Sequence, residues 1–275
     1  MKKLFVLIAA ACMTCTAAFA QTVKPFKEGE RAVFLGNSIT DGGHYHSYIW
    51  LYYMTRFPDM PIRVFNGGIG GDTAYDMNKR LDGDIFAMKP SVLMVTFGMN
   101  DSGYFEYNGD KPKEFGEQKY QESIKNYQQM EKRFKDLPDT RIVMVGTSPY
   151  DETVQLKEST PFKTKNETIK RLVEYQKESA AKNNWEFTDL NAPMTAINQQ
   201  YQQKDPTFTL CGSDRIHPDN DGHMVMAYLF LKAQGFVGKE VADMEINANK
   251  KQAVKSENCT CLLYTSPSPR DRQKS

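Results

Sequence analysis

The sequence is poor in cysteine, in long apolar runs and in excess charge of either sign. Of its five cysteines, Cys12 and Cys15 fall in a leader and Cys261 in an atypical tail. Cys211 and Cys259 remain, which make no disulfide framework and no CxxC metal pair. Cys211, beside Gly212 and near Asp214, reads as a small buried apolar residue. The apolar run Leu4 to Ala11 is far short of the roughly 20 residues of a membrane span.

Charge excludes another class. Setting aside residues 1–20 and 261–275 removes five of 35 basic residues and one of 34 acidic ones, leaving 30 against 33, a net of −3. Phosphate backbones are bound by basic surfaces, so nucleic acid is not the expected partner. What is present, mixed apolar and charged content over 275 residues, fits an ordinary globular protein.

The two ends are read separately. Lys2-Lys3, the apolar run and Ala18-Phe19-Ala20 form a basic start, a short apolar core and a small-x-small cleavage site. They predict a signal peptide over 1–20, cleaved after Ala20, and a secreted or periplasmic product. Cys12 after Ala9-Ala10-Ala11 keeps a lipoprotein reading open, although Ala stands where Leu is usual three positions before the cysteine. At the other end, Cys261 to Asp271 matches a translated transposase sequencing adapter, so 261–275 reads as an assembly artefact and the natural gene as continuing past Thr260. A Ser/Pro-rich linker is the alternative.

Between the ends, short apolar runs alternate with longer helical patterns, the mark of βαβ units and a parallel sheet covered on both faces. Strands are expected at 31–35, 62–66, 91–97, 141–146 and 185–190. Ser91 to Phe97 has no polar face and reads as a central strand. Helices are expected at 45–57, up to Arg80, up to Met88, and at 118–135, 160–183, 192–203 and 219–234. Thr160-Pro161 reads as a cap and first helical position. Residues 103–117 read as a polar surface loop near the site, and 238–260 as a linker or the start of a truncated C-terminal region, with a helix or linker over Val241 to Ala253. There is no internal repeat.

Four blocks carry chemistry: Gly36-Asn37-Ser38, Gly70-Gly71-Asp72-Thr73, Gly98-Met99-Asn100-Asp101 and Asp214-Arg215-Ile216-His217-Pro218. The first three follow the first three strands, and parallel α/β sheets gather ligands at the carboxyl ends of their strands. Ser38 is the candidate nucleophile, since a hydroxyl needs a base and oxyanion donors, and both are within reach of such a layout. His217 supplies the base, and Asp214, three residues earlier, supplies an acceptor that fixes its tautomer. The Ser38 N–H, the Gly71 N–H and the Asn100 amide could form an oxyanion hole. Alone, each block has a plainer reading: Ser38 as a helix N-cap, Gly71 and Asn100 as turn residues, Asp214 as a solvated loop acid, His217 as a surface histidine.

Their order and spacing resemble the SGNH (GDSL-like) hydrolase superfamily over about residues 30–235, with a hydrolase domain expected at 21–237. The resemblance implies a three-layer α/β/α sandwich with a five-stranded parallel sheet in flavodoxin-like order. It assigns Ser38 as nucleophile, His217 as base, Asp214 as its orienting carboxylate, and Ser38, Gly71 and Asn100 to the oxyanion hole. Gly-Asn-Ser-Ile stands where the family name has Gly-Asp-Ser-Leu, a common variant. The implied activity is a secreted serine esterase that needs no cofactor and cleaves O-acetyl or other short acyl groups on a glycan. Lipase or lysophospholipase activity is the alternative, or a non-catalytic carbohydrate-binding module. His44, Asp41 and Asp101 are expected to contact substrate, with His46 beside them. Asp101 also reads as bracing the Asn100 loop, Asp72 as bracing the glycine turn, and His223 as structural. A metal-dependent phosphoesterase built on Asp41, His44 and His46 is a further alternative.

Overall fold

In the computed structural model, which describes residues 22–259 apart from 158 and 239, five strands build one parallel sheet. They are β1 (Arg31–Gly36), β2 (Arg63–Gly68), β3 (Val92–Val95), β4 (Arg141–Gly146) and β5 (Glu186–Asp189), in the order β2-β1-β3-β4-β5. All four pairings are parallel, so each connection crosses the sheet through helix. The expected flavodoxin-like order is the one found.

Alternate residues of the central strands face opposite layers. Val33, Leu35, Leu93, Val95, Ile142 and Met144 pack into one core with Met77 of α3 (Ala74–Arg80), Tyr127, Met130 and Phe134 of α4 (Pro112–Lys135), and Ala180 of α5 (Lys165–Lys182). On the other face Phe34 meets Tyr45 and His46 of α2 (His44–Arg56) and Phe230 of α7 (Asn220–Ala233). The remaining helices are the four-residue α1 (Ser38–Asp41) and α6 (Asn191–Gln202). Both faces are covered, which is why the central strands are apolar throughout.

Three expectations need correction. Residues 103–117 are not all loop: a short 3-10 turn spans Phe105–Asn108 and α4 begins at Pro112, whose fixed φ suits the first turn. Helix α5 begins at Lys165 rather than near Thr160, because Thr164 sits in the left-handed region at φ 70. The capping role expected of Thr160 falls to Glu152, whose carboxylate accepts from Thr164 N at 2.9 Å and Asn166 N at 2.6 Å. Residues 241–253 are neither helix nor linker; β6 (Asp243–Asn247) and β7 (Gln252–Glu257) form an antiparallel hairpin. Its turn is set by Asn247, whose side chain accepts from Lys250 N at 3.0 Å.

The chain divides after Gly235 into two compact units, the second holding the hairpin. The leader expected at 1–20 and the adapter-like tail expected at 261–275 lie outside the described residues.

Candidate active site

Strand β1 delivers Ser38 to the carboxyl edge of the sheet. Asn37 caps α1, its side chain accepting from Ile39 N at 3.1 Å, so the Asn that replaces the family's Asp still closes the turn. Ser38 is the first residue of α1, not its cap. The end of β2 lies against this helix so closely that a Cβ on Gly68 would come 2.2 Å from Asp41 N. Asn66 secures the contact, donating to Asp41 O at 2.9 Å and accepting from Gly68 N at 2.9 Å.

Ser38 Oγ lies 2.7 Å from His217 Nε2, and His217 Nδ1 lies 2.6 Å from Asp214 Oδ2. The other oxygen of Asp214 accepts from the N–H groups of Ile216 and His217, both at 2.9 Å. The three residues expected to act together therefore form one hydrogen-bonded line, although 179 positions separate Ser38 from His217. Burial pushes the Asp214 carboxyl up, but the bonds from His217 and Ile216 outweigh it and hold the group below its usual range. His217 is correspondingly raised, chiefly by its hydrogen bond to Asp214 against partial desolvation.

Gly71 lies in the turn after β2 at φ 85, a conformation costly for residues with a side chain, and a Cβ there would meet nothing within 4 Å. Asn100 follows β3. Its Nδ2 donates to Asp72 O at 2.9 Å, and its Oδ1 accepts from the Tyr104 hydroxyl. The amide is thus oriented, with one N–H of Nδ2 spoken for. Beside it opens a cavity of about 240 Å³ lined by Thr73, Tyr75, Lys119, Glu122 and Asn126.

The residues expected to touch substrate separate. Asp101 is buried and fully engaged, with Oδ1 accepting from Ala74 N at 2.9 Å and Ser123 Oγ at 3.0 Å and Oδ2 from Gly98 N at 3.0 Å. It ties the Asn100 turn to α3 and α4, in line with the bracing role also expected of it. His46 is also buried, with Nε2 3.3 Å from Thr40 O and its ring against Phe34. Asp41 and His44 are exposed, His44 stacking on His223 at 5.0 Å. Among the described residues Asp41, His44 and His46 do not converge as a metal-ligating group. Asp72 pairs with Arg80 at 2.6 Å, and Arg80 also donates to Gly67 O at 2.8 Å, joining the glycine turn to β2. Cys211 is buried, and burial pushes its thiol up to about 12, so it behaves as the small buried residue expected and not as a reactive thiol.

One neighbour of this line had no functional reading in the sequence. Arg215, within the Asp214 block, is fully buried at φ 69 and donates to Ser159 Oγ and O, Asp151 O and Val154 O at 2.6–3.1 Å. It fastens the long β4–α5 connection to the loop that carries Asp214 and His217.

A sheet of this order with Ser38, His217 and Asp214 aligned at its carboxyl edge has the architecture of the SGNH hydrolases. The chain belongs to the GDSL-like lipase/acylhydrolase family, a family of carboxylic ester hydrolases, whose model matches residues 34–225. It is 27% identical over 224 residues to an acetylxylan esterase of Geobacillus stearothermophilus, covering 76% of this chain and 95% of that protein. The crystal structure of that organism's acetylxylan esterase Axe2 superposes with a TM-score of 0.60 at 24% identity, over 76% of this chain and 96% of Axe2, a likeness of fold. A solved gut microbial diltiazem-metabolizing enzyme, BT4096, is 84% identical with a TM-score of 0.83, over 87% of this chain. The chain spans about half of that protein, 54% of its length.

Proposed function

We propose that this chain is a serine esterase that removes O-acetyl or other short acyl groups from a glycan, with Ser38 as nucleophile, His217 as base and Asp214 as the carboxylate that orients it. The observation that carries the reading is the unbroken line Ser38 Oγ, His217, Asp214 at 2.7 and 2.6 Å. Ser38 Oγ bonds to the ester carbonyl carbon while its proton passes to His217 Nε2, and the carbonyl electron pair moves onto oxygen. The Ser38 and Gly71 N–H groups and the free N–H of Asn100 Nδ2 receive that oxyanion. Collapse expels the alcohol, which takes the proton from His217; water then repeats the sequence on the acyl-enzyme and releases the acid. Export behind a cleaved leader at 1–20 belongs to the same reading.

The chain's similarity to a protein named as an acetylxylan esterase supports a short acyl group on a polar alcohol.

Acetate release should be measured from 4-nitrophenyl acetate, acetylated xylo-oligosaccharides and diltiazem, beside 4-nitrophenyl palmitate, with and without EDTA. The expected result is turnover of the acetates, little of the palmitate, no effect of EDTA, and loss of activity in Ser38→Ala. Preference for palmitate would transfer the chain to the lipase reading. Loss with EDTA would contradict the mechanism, and glycan binding without turnover by the folded parent would make it a binding module.

A further inference from the structure

Lys165 is the first residue of α5, yet its side chain is completely buried. A cation is unfavourable at the N-terminal end of a helix and costly away from water. Its ammonium meets neutral oxygens: Met99 O at 2.7 Å, Ser102 Oγ at 2.6 Å and Gly103 O at 2.5 Å. It also lies 4.0 Å from the centre of the Tyr104 ring. All four contacts are on one turn, residues 99–104, which carries Asn100. The turn is otherwise closed by Ser102 N to Gly98 O and Gly103 N to Asn100 O, both at 3.0 Å, and Tyr104 in turn fixes the Asn100 amide.

We infer that Lys165 is a positioning residue for the esterase reaction, a buried cationic clamp that holds the Asn100 turn so that the amide N–H is aimed at the developing oxyanion. The inference rests on the proposed role of Asn100. The three N–H groups of the ammonium match three acceptors, a fit that a neutral side chain cannot supply. Acidic groups facing it are Asp101 on the turn after β3 and Glu152 on the connection after β4, and the phenols are Tyr104 and Tyr150. Burial pushes the lysine down to about 7 despite those two carboxylates, so the clamp is also expected to loosen as pH rises through that value.

The test is a double-mutant cycle on kcat for 4-nitrophenyl acetate, using Lys165→Met, Asn100→Ala and the double variant. Asn100→Ala should lower kcat by roughly a hundred- to a thousandfold. Lys165→Met should lower it by about tenfold or more with KM little changed, and add less than about twofold in the Asn100→Ala background. Should Lys165→Met fail to fold, Ser102→Ala removes one clamp acceptor and is expected to show a smaller loss with the same non-additivity. Losses that multiply in the double variant, or a folded Lys165→Met with full kcat, would overturn the clamp and leave the role of Asn100 standing. Full kcat in Asn100→Ala would overturn that role and the clamp together.

Discussion

At the scale of single residues, His217 answers two opposed demands. The hydrogen bond to Asp214 favours the protonated imidazole, which raises its pKa above the ordinary 6.5, while in the proposed mechanism His217 has to be neutral to take a proton from Ser38. Activity should therefore be present above the raised pKa and lost as pH falls through it. A profile of kcat/KM against pH is expected to show an acidic limb above 6.5, and Asp214→Asn should move that limb toward acid while lowering the plateau. A limb at or below 6.5 in the parent would contradict this electrostatic account. Ser38, Asn100, Asp214 and His217 were legible in the sequence because each stands in a short block, and because Asp214 and His217 meet within one loop. Arg215 and Lys165 were not, since a basic residue in a loop or at a helix end normally reads as solvated. Only the fold shows that both are buried among carbonyls.

At the scale of elements, the site depends on how closely β2 approaches α1. Gly68→Ala would set a methyl 2.2 Å from Asp41 N and 2.8 Å from Thr40 C, backbone atoms that cannot swing aside as a side chain can. The expected outcome is a stability loss of about 1–3 kcal/mol in denaturant titration, with a fall in kcat as Ser38 is carried away from His217. Unchanged stability and kcat would show that the approach is looser than described. The strands were legible because buried parallel strands are continuous apolar runs, and the fourth was placed at its observed bounds of 141 and 146. Helix starts were less so. Glu152 caps α5 from a distant connection, and α4 opens in the polar stretch Pro112 to Glu117, whose composition resembles loop because only Gly116 of its first five residues is buried.

At the scale of the whole molecule, strand order creates the site. The chain runs from β1 outward to β2, then returns past β1 to β3, and the blocks at the ends of these three strands bring Ser38, Gly71 and Asn100 to one edge of the sheet. His217 arrives from the last loop before α7, so the line to Ser38 closes only when nearly the whole first unit is folded. The order of the blocks made this convergence readable, whereas the hairpin after Gly235 was not, because its exposed strands bury little apolar surface to pattern the sequence. The central claim is that Ser38 is a nucleophile activated by His217. It is tested most directly by treating the protein with diethyl 4-nitrophenyl phosphate and mapping the adduct by mass spectrometry. The account predicts one diethylphosphoryl group, on Ser38, forming far more slowly in His217→Ala and absent in Ser38→Ala. An adduct on another residue, or equal labelling of the His217→Ala variant, would contradict it.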